Sequence, residues 1–214
     1  MLPSREWKRT RFAGKDYREE HRKWYLGDSI SAGIGQGYNA FTPIQQAVAI
    51  ATIANDGTEY RPHLVKSVRD VRTGDVREIA PEVSHTLAVK PEQLAFIKSA
   101  LMGVPKEGTS AAAFLKTPYV SAGKTGTAQV FSLKGEKYST KIDERLRDHA
   151  WYVAYAPADK PRIAVAVLVE NGGFGAQAAA PVARQVFDYY LTGQTKKGPA
   201  PAGPVPAAAD DESD

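Results

Sequence analysis

Three runs of small and β-branched residues, Tyr119 to Phe131, Ala150 to Ala156 and Ile163 to Val169, constrain this chain more than any other feature. Residues of this kind fit a pleated, half-buried surface, and even the apolar run IAVAVLV at 163–169 is too short to cross a bilayer. A polar crossing, KGEKYSTKIDERLRD, separates the first two runs, and a tighter turn, APADKPR, separates the second and third. Both connections allow antiparallel pairing. A helical repeat follows, with Val182, Ala183, Val186, Phe187, Tyr190 and Leu191 at three-to-four spacing and Pro181 expected in the first turn.

Upstream of the strands the pattern is mostly helical. Residues 5–24 mix charges of both signs with Trp7, Phe12, Tyr17 and Trp24, and predict a solvated loop or frayed helix anchored by its aromatics; an anionic-surface contact is the alternative, diluted by Glu6, Asp16, Glu19 and Glu20. GIGQGYNAF at 33–41 is a glycine-rich loop without the preceding strand of a dinucleotide fingerprint. Thr42 and Pro43 read as N-cap and first residue of a helix that NDG stops at 55–57. Leu64 to Val71 and Val76 to Ile79 flank RTGD as a hairpin. A second helix is expected from Pro91 to just before Pro105, and a short one in GTSAAAFL, capped by Thr109 or Ser110. The Pro/Ala-rich, acidic stretch 195–214 is too poor in apolar residues to order itself and is expected to be a disordered tail. Helices, then consecutive strands, then a covering helix make an α+β fold with an antiparallel sheet flanked by helices. The sheet looks incomplete, because one covered by this many helices usually has more strands.

Composition narrows function by exclusion. The chain has no cysteine, hence no thiolate nucleophile and no thiolate metal site. A formal net charge of +4 falls short of the dense basic patches that bind nucleic acid. No cofactor or metal is expected: His149 has only Asp143, Glu144 and Asp148 nearby, ordinary loop acids.

The chemistry-bearing stretch is SAGKTGTAQV at 121–130. A phosphate-binding loop would need glycine at position 118, which is Pro118, and a helix after the lysine, where TGTAQV continues as strand. Ser121 and Lys124 formally satisfy S-x-x-K, yet on a strand residues three apart face opposite ways, so Ser121 makes a poor nucleophile. On alternating faces Lys124 and Gly126 point one way, Thr125 and Thr127 the other. Two readings stand on residue types alone. Lys124 is either an incidental lysine on a strand, or the cation of an edge that takes an extended peptide and, with the two threonine hydroxyls, its carboxylate.

GKTGTAQV resembles the K-T-G strand of the penicillin-binding transpeptidases. The segments GIGQGYNAFTPIQQAVAIATIANDGTEYRPHLV, HAWYVAYAP, IAVAVLVEN and AAPVARQVFDYYL fall in the family's order, and MLPSREW with GIGQGY is similar to its elongation-specific class B branch. The likeness covers roughly residues 1–193, so residues 1–194 are expected to form the C-terminal part of a transpeptidase domain of the serine β-lactamase-like fold. It implies a peptidoglycan D,D-transpeptidase that acts on D-Ala-D-Ala stem peptides and is acylated by β-lactams. It also implies that Lys124 supports the nucleophile's proton traffic, that Thr125, Gly126 and Thr127 bind the substrate's carboxylate end, and that the Thr127 N–H is one of two oxyanion donors. Such a donor contributes about 2.7–4 kcal/mol. A glycosyltransferase of the elongation machinery is the implied partner, the periplasmic face of the inner membrane the implied location, and nucleic acid is no partner. His149 and Trp151 are given structural roles behind the K-T-G strand.

Two family motifs are missing. The S-x-x-K at Ser121 is strand-borne, and neither S-x-N nor Y-x-N occurs, since Gly37, Ile53 and Val169 stand two residues before the asparagines. The expectation is a fragment whose Met1 marks a truncated product or an engineered boundary, with the serine and the membrane anchor upstream. Without the serine it should not acylate. Two alternatives remain: a D,D-carboxypeptidase or β-lactamase relative, which GIGQGY and TPIQQA disfavour, and a non-catalytic stem-peptide-binding or scaffold module.

Overall fold

The computed structural model describes residues 2–130 and 143–193. The tail expected at 195–214 and most of the polar crossing after Phe131 lie outside the described residues. Two compact units emerge, Met1–Thr42 and Pro43–Asp214.

In the first unit, α1 (Arg5–Arg11) starts at Ser4, whose hydroxyl accepts from the Trp7 N–H at 3.0 Å. The aromatic anchor expected there is present: Phe12 packs edge-on against Trp7 and Tyr17, and Tyr38 closes the cluster. A second helix that the glycine-rich reading missed, α2, spans Leu26–Gly33. It is held to α1 by the ion pair of Lys8 with Asp28 at 2.6 Å, whose side chains are 4% and 15% exposed. Burial pushes the Asp28 carboxyl up, but hydrogen bonds from the Lys8 ammonium and the Tyr25 N–H outweigh it, and the group ends below its usual value. Gly35 and Gly37 take left-handed φ of 78° and 68°, and the Asn39 side chain donates to the carbonyls of Ala32 and Gln36. The glycines thus serve a turn.

The second unit opens with α3 (Pro43–Ala54), stopped as expected where Asp56 and Gly57 turn to φ of 52° and 84°. Two small ladders follow. β1 (Thr58–Tyr60) pairs with β4 (Val83–Thr86), and β2 (Ser67–Arg69) pairs with β3 (Val76–Glu78) in the hairpin anticipated around RTGD. The β1–β4 ladder was not legible because its strands are short and well separated in sequence. Helix α4 (Pro91–Lys106) corrects the expected boundary: Pro105 lies inside it. Its missing N–H falls in the last turn, and the Glu107 and Gly108 N–H groups close the end on the Gly103 carbonyl, each at 2.9 Å. Lys98 of α4 ties down the end of α3, donating to the Ala54 carbonyl at 3.1 Å and to Asp56 at 2.6 Å. A 3-10 turn at Ala111–Phe114 replaces the short helix expected in GTSAAAFL; Ser110 occupies its N-cap and accepts the Ala113 N–H on its carbonyl at 3.0 Å, without a side-chain bond to the turn.

The sheet is β5 (Ala122–Ala128), β6 (His149–Ala156) and β7 (Ile163–Val169), antiparallel and in chain order. One face of β6, with Ala150, Tyr152 and Ala154, packs on Ala179, Ala180, Ala183 and Phe187 of α5 (Gly175–Thr192). The other face, through Ala122 and Tyr155, meets Ile50 and Ala54 of α3. Two expectations for α5 need correction. Pro181 sits mid-helix, and Val182, Val186 and Tyr190 are exposed, because the alanines present the side that approaches the sheet most closely. No helix among the described residues is long and apolar enough to cross a membrane.

Candidate active site

β5 is an edge strand among the described residues, and its exposed residue is Lys124. The uninterrupted ladder with β6 sets the faces. Lys124 and Gly126 lie opposite Val153 and Trp151, while Thr125 and Thr127 lie opposite Tyr152 and Ala150. Alternation along the strand is therefore as the sequence predicts. The Lys124 ammonium donates to the Thr125 carbonyl at 2.9 Å and stands 3.5 Å from the Thr125 hydroxyl. Thr125, Gly126 and Thr127 are half-buried beside it. Cation, hydroxyl and, among the described residues, the outer strand of the sheet thus come together at Lys124 to Gly126, a combination suited to the carboxylate end of an extended peptide.

Contacts behind the strand explain why it holds this shape. The Tyr152 hydroxyl and the Ser110 hydroxyl bond at 3.0 Å in a fully dry interior, where burial pushes the phenol up to about 12 against the smaller lowering by Ser110. Thr109, the neighbour of Ser110, bonds through its hydroxyl to that of Thr125 at 2.9 Å. Segment 109–110 therefore supports the strand on both sides of Lys124. At the strand's far end α5 begins on bare backbone: a β-carbon on Gly175 would stand 2.5 Å from the Gly126 carbonyl oxygen and collide with that of Trp151. Only glycine allows this approach.

Ser121 is 2% exposed, and its hydroxyl has no hydrogen-bond partner among the described residues. It lacks both the access and the base a nucleophile needs. His149, at the start of β6, accepts the Asn171 N–H on Nδ1 at 2.9 Å, and the Asn171 side chain holds the Arg145 and Arg147 carbonyls. That is a structural role. Sequence reasoning found the strand and its cation but missed Thr109, Ser110, Gly123 and Gly175. Thr109 and Ser110 stand in the sequence only as cap candidates, and the long-range contacts, 109 with 125, 110 with 152, 123 with 152 and 175 with 126, give the four their meaning.

The family profile described as penicillin binding protein transpeptidase domain matches residues 11–188. Peptidoglycan D,D-transpeptidase MrdA of Haemophilus influenzae is 42% identical over 197 residues, covering 89% of this chain and 28% of that protein. Penicillin-binding protein 2 of Pseudomonas aeruginosa superposes with a TM-score of 0.69 at 34% identity, over 95% of this chain and 41% of that one. Penicillin-binding protein 2 of Helicobacter pylori, solved in complex with MreC, gives a TM-score of 0.65 at 25% identity, over 91% of this chain and 32% of that one. The chain spans less than a third of the length of the curated relative.

Proposed function

The chain belongs to the penicillin-binding protein transpeptidase family, and from that premise we propose that it builds the substrate-gripping strand of an elongation-type peptidoglycan D,D-transpeptidase. The observation that carries this reading is the exposed Lys124 ammonium on an edge strand, beside the Thr125 hydroxyl. In the reaction a serine hydroxyl attacks the carbonyl of the penultimate D-alanine of a stem peptide. Terminal D-alanine departs with the serine's proton, and an amine of a neighbouring strand then takes the acyl group and frees the serine. Lys124 lowers the cost of the proton's transit by its positive field. Thr125 and Thr127 hold the terminal carboxylate, Gly126 lets the peptide backbone approach, and the Thr127 N–H steadies the oxyanion. β-Lactams enter by the same carboxylate contacts.

The acylating serine is assigned outside this chain, since Ser121 is buried and precedes a strand. The parent is assigned to the periplasm, working with a scaffold such as MreC, which the Helicobacter pylori protein binds, and with a polymerising glycosyltransferase. The buried Ser121 also favours a second reading, a binding module that keeps the peptide edge without chemistry. Fluorescent penicillin on a denaturing gel separates the assignments: the 214-residue chain should stay dark, and a labelled band would overturn the placement of the serine. Lys124→Ala should weaken binding of a D-Ala-D-Ala peptide about ten-fold, as expected for one charge-assisted contact. Unchanged affinity would remove this strand from substrate binding under both readings.

A further inference from the structure

We propose that the first unit carries a binding site for a phosphorylated sugar, in a cleft between α1 and the segment that leads into α2. The cleft measures about 640 Å³, several times the size of a lone phosphate and within the range of small-molecule sites. Arg5 and Arg9, one helical turn apart on α1, form one wall, with Arg22 and Lys23 opposite; Glu19 is the single acid in the lining.

Those charges are left available by the packing around them. Among the described residues Arg5, Arg9 and Lys23 form no ion pair. Arg22 is fixed by donating to the Phe12 and Ala13 carbonyls at 3.0 and 2.9 Å, which orients its guanidinium without neutralising it. Asp28 is committed to Lys8. Four cations around one carboxylate favour a ligand with more than one negative charge, and planar guanidinium groups match phosphate oxygens in pairs.

The rest of the volume is flanked by Trp24 and Tyr25. The indole donates to Ser29 at 2.8 Å and the phenol to the Glu20 carbonyl at 3.2 Å, so both polar tips are occupied; the Lys8 ammonium stands 5.2 Å from the centre of the Tyr25 ring, and the indole offers its apolar body. A sugar presents C–H faces to such rings while its phosphates meet the arginines. The shared chemistry is a glycosyl phosphate or diphosphate, either soluble or as a lipid headgroup. The site does not depend on the transpeptidase reading.

Titration of the 214-residue chain with UDP-N-acetylglucosamine, followed by calorimetry, tests it. Saturable binding is expected, and Arg5→Gln and Arg9→Gln should each weaken it about ten-fold. Both side chains are exposed, and circular dichroism verifies that the variants fold. Arg77→Gln removes the same charge from exposed β3 and should change nothing. In a parallel arm, phosphatidylcholine vesicles with and without phosphatidylglycerol are co-sedimented with the chain. Binding confined to the anionic vesicles, with no saturable binding of UDP-N-acetylglucosamine, marks a general anionic-surface contact and overturns the sugar phosphate. Absence of saturable binding in both arms, or an equal loss in Arg77→Gln, overturns the proposal.

Discussion

The hydroxyl of Tyr152 lies 2.6 Å from the point where a β-carbon on Gly123 would stand. The phenol fills the space a side chain at position 123 would need, one residue before Lys124. Gly123→Ala should therefore destabilise the protein by about 1–3 kcal/mol, the usual cost of overpacking. Thermal melts should show a fall of several degrees. Adding Tyr152→Phe removes the nearest of three crowded atoms, while the ring's Cζ and the Val153 carbonyl oxygen still stand 2.8 Å away; the double variant should recover part of the loss, a coupling that unrelated sites lack.

The same phenol sets an alkaline limit. Its folded value, about 12, lies above the ordinary tyrosine value of 10.0. The folded state thus holds the proton more tightly than the unfolded one. The stabilisation is complete below about pH 10 and is lost as pH rises through 12. Denaturant melts between those values should show the loss, and Tyr152→Phe should make it shallower, the rest coming from the Tyr119 and Tyr155 phenols, which burial also pushes up.

Ser121→Ala should stabilise by about 1 kcal/mol, because it deletes a buried hydroxyl without a partner. Chemical denaturation reads the gain directly. A fall in stability would mean that the hydroxyl is bonded in solution.

Lys8→Met leaves the Asp28 carboxylate without its partner and should cost about 3 kcal/mol. The pH dependence has the opposite sign to that of Tyr152. Asp28 titrates below its ordinary value of 3.8 when folded. Its contribution is full above that value and disappears as pH falls through the lower folded one. The tryptophan fluorescence of Trp7, beside Lys8 on α1, should report this acid transition in the parent and lose it in Asp28→Asn.

Strand order, antiparallel pairing and the solvent-facing Lys124 were legible because alternation and apolar runs are local signals. The existence of α5 was legible, and so was part of its buried side, Ala183 and Phe187; its start at Gly175 and the burial of Ala179 and Ala180 were not. Ala179, Ala180 and Ala183 carry little hydrophobic signal, yet their small size decides which side meets the sheet. Pro105 and Pro181 misled for a related reason, since a missing N–H breaks a helix only where packing fails to hold it. The support for the site, Thr109 on Thr125 and Ser110 on Tyr152, joins residues 16 and 42 apart, beyond the reach of any sequence period.

Gly175 gives α5 a mechanical grip on the sheet. With no side chain as a spacer, the first turn of that helix and the peptide plane of Gly126 move as one body. A displacement of the helix start would press directly on the backbone that precedes Thr127. Anything that docks on the outer surface of α5 thereby holds a lever on the strand that carries Lys124.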